Sequence, residues 1–385
     1  MTLISASAVA LTGVICRPGW LQIAGRRILD CGAGAPPQRP DVDLPGAVVV
    51  PGFVDVHVHG GGGASYTDGD LADIERAAAF HRRHGTTSTL ASLVTASPAD
   101  LLAGLRALAE STRSGVIAGI HVEGPWLSPV RGGAHDVGQL RDPAAAEVDA
   151  VLAAGDGAVR MVTLAPERFG SAAAISRLVD AGIVVAVGHT EATYEQTRQA
   201  IDAGATVGTH LFNAMRPLHH REPGPVLALL EDPRVTVELI ADGVHLHPAV
   251  VRAVIDAVGP ERVALVTDAT TAAGLGDGAF RLGRVQIDVA AGVACVHGTS
   301  TVAGSTATMD RLFRAAAAAG ADRKTAHSDA ALAAAVQVTS TTPARVLRLQ
   351  DAGTLRPGSA ADLVVLDEGL QVRAVMAGGD WVTGG

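Results

Sequence analysis

The chain has 385 residues, is 48% hydrophobic and carries a net charge of −9. That length exceeds one small domain and suits a large α/β domain with a smaller companion. The acidic balance excludes a diffuse basic surface for nucleic acid or anionic lipid, so any phosphate-bearing ligand must meet a local cluster of donors.

Residues 1–47 hold short apolar runs broken by turn signals at Gly13, Gly25, Gly32 and Pro36-Pro37, which reads as β-strand material. Met1 to Cys16 is apolar enough to resemble a signal sequence but has no positive n-region, and it too reads as strand. No stretch approaches the roughly 20 apolar residues of a membrane span. Cys16, Cys31 and Cys295 are odd in number and lack CxxC spacing, so they are expected to be reduced core thiols of a soluble, cytoplasmic protein.

From residue 48 onward strand and helix alternate. Strands are expected at 48–59, 86–95, 115–123, 159–165, 183–189, 205–211, 235–242 and 263–268. Ser97-Pro98 caps one helix, Thr190-Glu191 is expected to open another, and Gly182, Gly204 and Gly259 follow helix ends. The alanine-rich run 315–319 is a good helix. Eight strand–helix units predict an α/β fold, a (β/α)8 TIM barrel over residues 48–349. The tail returns to β texture, with strands expected near 363–367, 371–377 and 380–383. Residues 1–47 and 350–385 are each too short for a core and are expected to pair into one small β-sandwich.

Barrel chemistry collects at the C-terminal ends of the strands. The first strand ends in Asp55-Val-His57-Val-His59, with Asp55, His57 and His59 expected on one side and Val54, Val56 and Val58 on the other. The third ends in His121-Val-Glu123, the fifth in His189, the sixth in His210 and the eighth in Asp268. One buried histidine is ordinarily a satisfied core residue. Six ligand-type groups on one mouth, left unpaired, would cost several kcal/mol, and a divalent transition metal offsets that cost. His81 and His84, on a helix with Arg82 and Arg83, read as solvated.

The P-G-x-x-D-x-H-x-H pattern at 51–59 and Asp268 resemble the amidohydrolase superfamily. Six further segments narrow the resemblance to the deacetylases of N-acetylglucosamine 6-phosphate: His121-Val-Glu-Gly-Pro, Gly188-His189-Thr190, His210-Leu-Phe-Asn-Ala-Met215, Arg221-Glu-Pro-Gly224, Ile240-Ala-Asp-Gly-Val-His245 and Val266-Thr-Asp-Ala-Thr270. The resemblance runs from about residue 50 to 367. It implies that Glu123, His189 and His210 hold one divalent ion and that His57, His59 and Asp268 would complete a second, so one or two ions per chain are expected. Zn²⁺ is the expected ion, with Fe²⁺ the main competitor. Relatives that bridge two metals with a modified lysine place it on the fourth strand; Lys324, the only lysine, lies far from that strand, so Glu123 takes the bridging place.

The same resemblance assigns phosphate to Arg221 and His245, with main-chain amides near Asn213 and Ala214. It assigns polarisation of the acetyl carbonyl to His135 and proton transfer to Asp268. It further implies a homodimer in which Arg221 reaches the neighbouring active site, while His121 shares the inward face with Glu123 and is expected behind the ligands without an assigned role. The expected substrate is a phosphorylated amino sugar. Alternatives are the galactosamine epimer, another cyclic amide, or a non-catalytic phosphosugar sensor that would need Arg221 and His245 but not Asp268.

Overall fold

Eight parallel strands stand side by side in chain order: Phe53–Val58, Thr86–Leu93, Gly119–Glu123, Val159–Leu164, Val184–Val187, Ala205–Gly208, Thr236–Leu239 and Val263–Leu265. The computed structural model describes residues 1–319 and 328–383. Lys324 lies outside the described residues. Helices Leu71–Arg83, Pro98–Arg113, Ala145–Gly155, Ser171–Asp180, Tyr194–Asp202, Gly224–Glu231, Pro248–Val258 and Met309–Ala319 follow the strands in turn. The fold is the expected TIM barrel, with a separate β-sheet domain from the chain ends.

Period two decides which side chains fill the barrel. Val184 and Ala186 point inward, joining Leu90, Met161, Val207 and Val266. Val185 and Val187 face the helices and pack with Ile175 and Leu178. Each such aliphatic side chain, fully buried, contributes about 1.5–3 kcal/mol.

The first strand departs from simple alternation. Residues 48–51 belong to the other sheet: Val48, Val49 and Val50 pair with Leu366, Val365 and Val364, in the strand Val42–Pro51. The barrel strand begins at Phe53, and its ladder with the second strand shifts register between Phe53 and Val54 and again between Asp55 and Val58. Irregular register re-aims side chains near active sites. Here Val54 and Val56 join the barrel interior, while Asp55 turns to the seam between the eighth and first strands. No ladder closes that seam among the described residues. Thr267 donates its hydroxyl (2.5 Å) and its main-chain N–H (3.3 Å) to the Asp55 carboxylate, Asp268 N–H reaches His57 O at 2.8 Å, and His59 N–H reaches Ala269 O at 2.8 Å.

The two chain ends form one mixed sheet, ordered 380–383, 372–377, 363–366, 42–51, 2–11, 19–24 and 27–33, with 14–16 added beside 2–11. Its core is Ile4, Leu21, Ile28, Val49, Leu363 and Val365. Among the described residues no helix is long and apolar enough to cross a membrane. The three cysteines are free, and all three are half-buried rather than in the core as expected.

Other expectations change in detail. Ser97 caps its helix by accepting from Asp100 N–H at 3.2 Å. The helix expected to open at Thr190 starts at Tyr194, because Thr193 and Gln196 form a reciprocal capping box, while Thr190 donates to Glu167 at 2.5 Å. His81 is fully buried, not solvated: its Nε2–H donates to Gly60 O at 2.8 Å and ties the first helix to the end of the first strand. Its neighbour His84 is half-exposed, 3.3 Å from Asp310. Residues 278–296, for which the sequence reading offers no element, form a three-stranded antiparallel sheet. Its inner residues Leu282, Ile287, Val289 and Ala294 pack with Val94 and Ala272 above the barrel mouth.

Candidate metal centre and active site

Three of the strand-end residues leave their strands with left-handed backbones: His189 at φ 46°, His210 at φ 26° and Asp268 at φ 48°. Each such residue costs about 1–3 kcal/mol and persists only where surrounding contacts impose it. The sharp turn aims the side chain across the mouth instead of along the chain. Gly188 makes the His189 turn accessible, since a Cβ there would sit 2.7 Å from the Thr209 side chain and 2.8 Å from that of Thr163. Asn213 holds the His210 turn, its side-chain amide donating to His210 O (3.1 Å) and Leu211 O (3.3 Å).

The result is a tight cluster. Glu123 Oε1 lies 3.1 Å from both His189 Nε2 and His210 Nε2, which are 3.1 Å from each other. Glu123 Oε2 lies 3.3 Å from His57 Nε2 and 3.2 Å from His59 Nε2, themselves 3.2 Å apart. Asp268 Oδ1 closes the second group at 3.2 Å from His59 and 3.5 Å from His57. Two groups therefore share one carboxylate, one oxygen each. A single shared proton satisfies only one facing pair of imidazole nitrogens, whereas a cation accepts every lone pair at once. Donor atoms around a tetrahedral ion with bonds of about 2.0–2.2 Å stand about 3.4 Å apart, so both groups fit a divalent ion.

The remaining imidazole nitrogens face outward. His59 Nδ1–H donates to Ser92 O at 3.1 Å and His189 Nδ1–H to Arg131 O at 2.8 Å. His57 Nδ1–H points to Glu238 Oε2 at 3.1 Å, an acid on the seventh strand that sequence reasoning passed over. Its signal was available: one carboxylate inside the apolar run Val235-Thr-Val-Glu238-Leu-Ile240. His121 is fully buried and bonded at both nitrogens, to Ser92 Oγ (2.9 Å) and Thr163 Oγ1 (2.8 Å), behind the cluster. Burial and the nearby His57 keep it well below the usual histidine range, hence neutral.

The charges of the cluster follow from its geometry. Burial opposes ionisation of Asp268, but His57 and His59 overcome it and hold the carboxyl well below its ordinary range. Burial likewise disfavours charge on His59, yet Asp268 and Glu123 push it up to about 9. His135 goes the other way. Burial, reinforced by His189, lowers it to about 4. Its Nδ1 accepts the Thr95 main-chain N–H at 3.2 Å, which leaves the proton on Nε2, 3.4 Å from Glu123 Oε2.

All of this opens into a cavity of about 390 Å³ lined by His59, Glu123, His135, His189, His210, Asn213, Ala214, His245 and Asp268, under Leu282, Thr301 and Val302. His245 donates to Asp242 Oδ2 at 2.8 Å; burial works against its charge, but Asp242 raises it above the usual value. Asn213 N–H is already bonded to His210 O at 3.0 Å. Arg221 is not in this cavity: it is exposed, with its guanidinium 2.8 Å from His220 Nε2.

Comparison with known proteins bears on this arrangement. Residues 48–382 match the amidohydrolase family. An N-acetylgalactosamine-6-phosphate deacetylase of Escherichia coli O157:H7 is 35% identical, with 96% of each chain covered. An N-acetylglucosamine-6-phosphate deacetylase of Danio rerio is 40% identical over 89% of this chain and 86% of its own. A mutant N-acetyl-D-glucosamine-6-phosphate deacetylase of Mycobacterium smegmatis, solved in complex with N-acetyl-D-glucosamine 6-phosphate, is 56% identical and superposes with a TM-score of 0.96 over 99% of each chain. By sequence match, fold and the donor cluster at its barrel mouth, the chain belongs to the amidohydrolase family.

Proposed function

We propose that the chain hydrolyses the acetamide of N-acetylglucosamine 6-phosphate to glucosamine 6-phosphate and acetate. The observation that carries this reading is the pair of donor groups sharing Glu123, opening with Asp268 and His135 into the cavity that also holds His245. A non-catalytic sensor has no use for the first part of that arrangement. Imidazole and carboxylate donors favour Zn²⁺, with Fe²⁺ chemically close, and two ions per chain suit the two groups. A bound divalent ion would supply Lewis acidity, polarising the acetyl carbonyl and acidifying the attacking water.

Asp268, ionised beside the water's position, takes its proton and later returns it to the sugar nitrogen, which leaves poorly as an amide anion. His135, neutral and protonated on Nε2, donates to the carbonyl oxygen as negative charge develops there. In the same cavity His245, its affinity for a proton raised by Asp242, and the Ala214 amide receive phosphate. The third phosphate donor is the Arg221 of a second copy, which makes the working unit a homodimer. Three free cysteines fit a cytoplasmic setting.

The Escherichia coli relative keeps the galactosamine epimer as a second reading. Acetate release from the two N-acetylated hexosamine 6-phosphates and from unphosphorylated N-acetylglucosamine decides between them. The proposal expects the highest kcat/KM on the phosphorylated glucosamine. A higher value on the galactosamine epimer assigns the second reading, and equal rates with and without phosphate contradict both.

A further inference from the structure

We infer that Glu238 is the positioning residue of the ion site containing His57: its carboxylate fixes the tautomer and aim of that imidazole, and so sets how tightly this half of the centre holds a divalent cation. The inference rests on the two-ion reading above.

Glu238 is fully buried on the seventh strand, between Val237 and Leu239, which pack toward the helices. Its Oε2 lies 3.1 Å from His57 Nδ1, while His57 Nε2 faces Glu123 and Asp268. An imidazole whose Nδ1–H is held by a carboxylate must present the Nε2 lone pair to the centre. The other histidines of the cluster are backed differently. His59 and His189 donate to main-chain carbonyls, and His210 Nδ1 has no partner among the described residues. A carboxylate enriches its imidazole more than a carbonyl does, so His57 becomes the strongest neutral donor of the set.

The acid itself needs a countercharge. Among the described residues, Glu238 Oε2 has only His57 Nδ1–H and the His210 main-chain N–H (3.2 Å) within hydrogen-bond reach, and Oε1 has no partner. Burying a carboxylate with so few donors is costly. A cation on the far side of the His57 ring is the group that offsets that cost. The contact with His210 N–H leaves a rival, purely structural role: holding the strained His210 turn. The test must separate the two.

Zinc stoichiometry and affinity, read by chelator competition on metal-stripped protein, are compared for wild type, Glu238→Gln, His57→Asn and the double variant. Thermal unfolding of each stripped protein reports folding. His57→Asn is expected to lose one ion. Glu238→Gln is expected to weaken that same ion about 10–100-fold and leave the other within about threefold. In the His57→Asn background the glutamine is expected to change nothing further. Wild-type binding in Glu238→Gln overturns the inference. So does an equal weakening of the remaining ion once His57 is gone, which would assign Glu238 to the His210 turn. Loss of no ion in His57→Asn overturns the two-ion reading itself, a failure distinct from the other two. If the glutamine variant does not fold, the imidazole ¹⁵N shifts of His57 in the zinc-loaded wild type decide: a proton on Nδ1 supports the inference, and one on Nε2 overturns it.

Discussion

The two sets of residues that line the mouth cavity, the donor cluster and the loop residues, are built in opposite ways. In the donor cluster His57, His59, Glu123, His189, His210 and Asp268 all come from barrel strand ends of one chain and are buried, three of them on strained backbone, while His135 joins them from the loop after the third strand. In the other set His245 and Ala214 come from loops, and Arg221 stands outside the cavity on the surface. The first set is complete within one chain; the second, on the proposed reading, waits for another copy. On the proposed reading the contrast suits the work assigned to each: proton transfer demands fixed geometry to fractions of an ångström, whereas phosphate binding tolerates a donor delivered on a loop.

Breaking the cluster has the larger expected effect. Asp268→Asn preserves shape but can neither take nor return a proton, so kcat is expected to fall about 10²–10⁴-fold while substrate still binds. Steady-state kinetics with metal content measured on the same sample checks this; near-normal kcat with full metal content assigns the proton to another residue.

Breaking the loop set has a smaller and different effect. Arg221→Ala is expected to raise KM for the phosphorylated sugar roughly 10–100-fold and leave the unphosphorylated sugar nearly unchanged. Mixing Arg221→Ala with Asp268→Asn chains sharpens the comparison, because a heterodimer that shares Arg221 contains one intact site. Recovered activity supports the shared site; none under proven subunit exchange contradicts it.

The smallest expected effect is that of pH on the same set. Burial works against charge on His245, but Asp242, with Asp268 adding to it, outweighs burial and raises His245 above its ordinary value, so the proton is held at the ordinary histidine pH. Its charge, and its contribution to phosphate binding and to stability, is present below that pH and lost as pH rises through the raised value. For Asp242 burial works against charge, but His245 outweighs it and lowers the carboxyl, so the pair weakens again when pH falls through that depressed value. KM for the phosphorylated sugar is therefore expected to climb at alkaline pH. An equal climb for the unphosphorylated sugar would move the effect to the cluster.

What the sequence made legible divides along the same line. The eight strands and their ligand-bearing ends follow from short apolar runs, the texture of strands buried on both faces, and from the barrel rule. The register shifts in the first strand were not legible, because alternation around Asp55 looks regular until Thr267 draws its carboxylate to the seam. His81 was misread because Arg82 and Arg83 make its helix face look polar, although its ring meets a main-chain carbonyl inside. The sheet at 278–296 is absent from the sequence reading: the alternation of Val285, Ile287 and Val289 is short, and nothing in the spacing says that it roofs the mouth. Glu238 was visible as an acid in an apolar run; only its distance to His57 gives it meaning. Arg221 is exposed outside the cavity, and only on the proposed dimer reading does it meet a phosphate.

Metal-dependent deacetylation of a phosphorylated amino sugar by the donor cluster at the barrel mouth is tested most directly by acetate release from N-acetylglucosamine 6-phosphate, using protein stripped with a chelator and then titrated with Zn²⁺, with bound metal measured at each step. Negligible activity is expected in the stripped protein, rising in proportion to metal bound. Full activity in protein shown to contain no metal would rule out that chemistry.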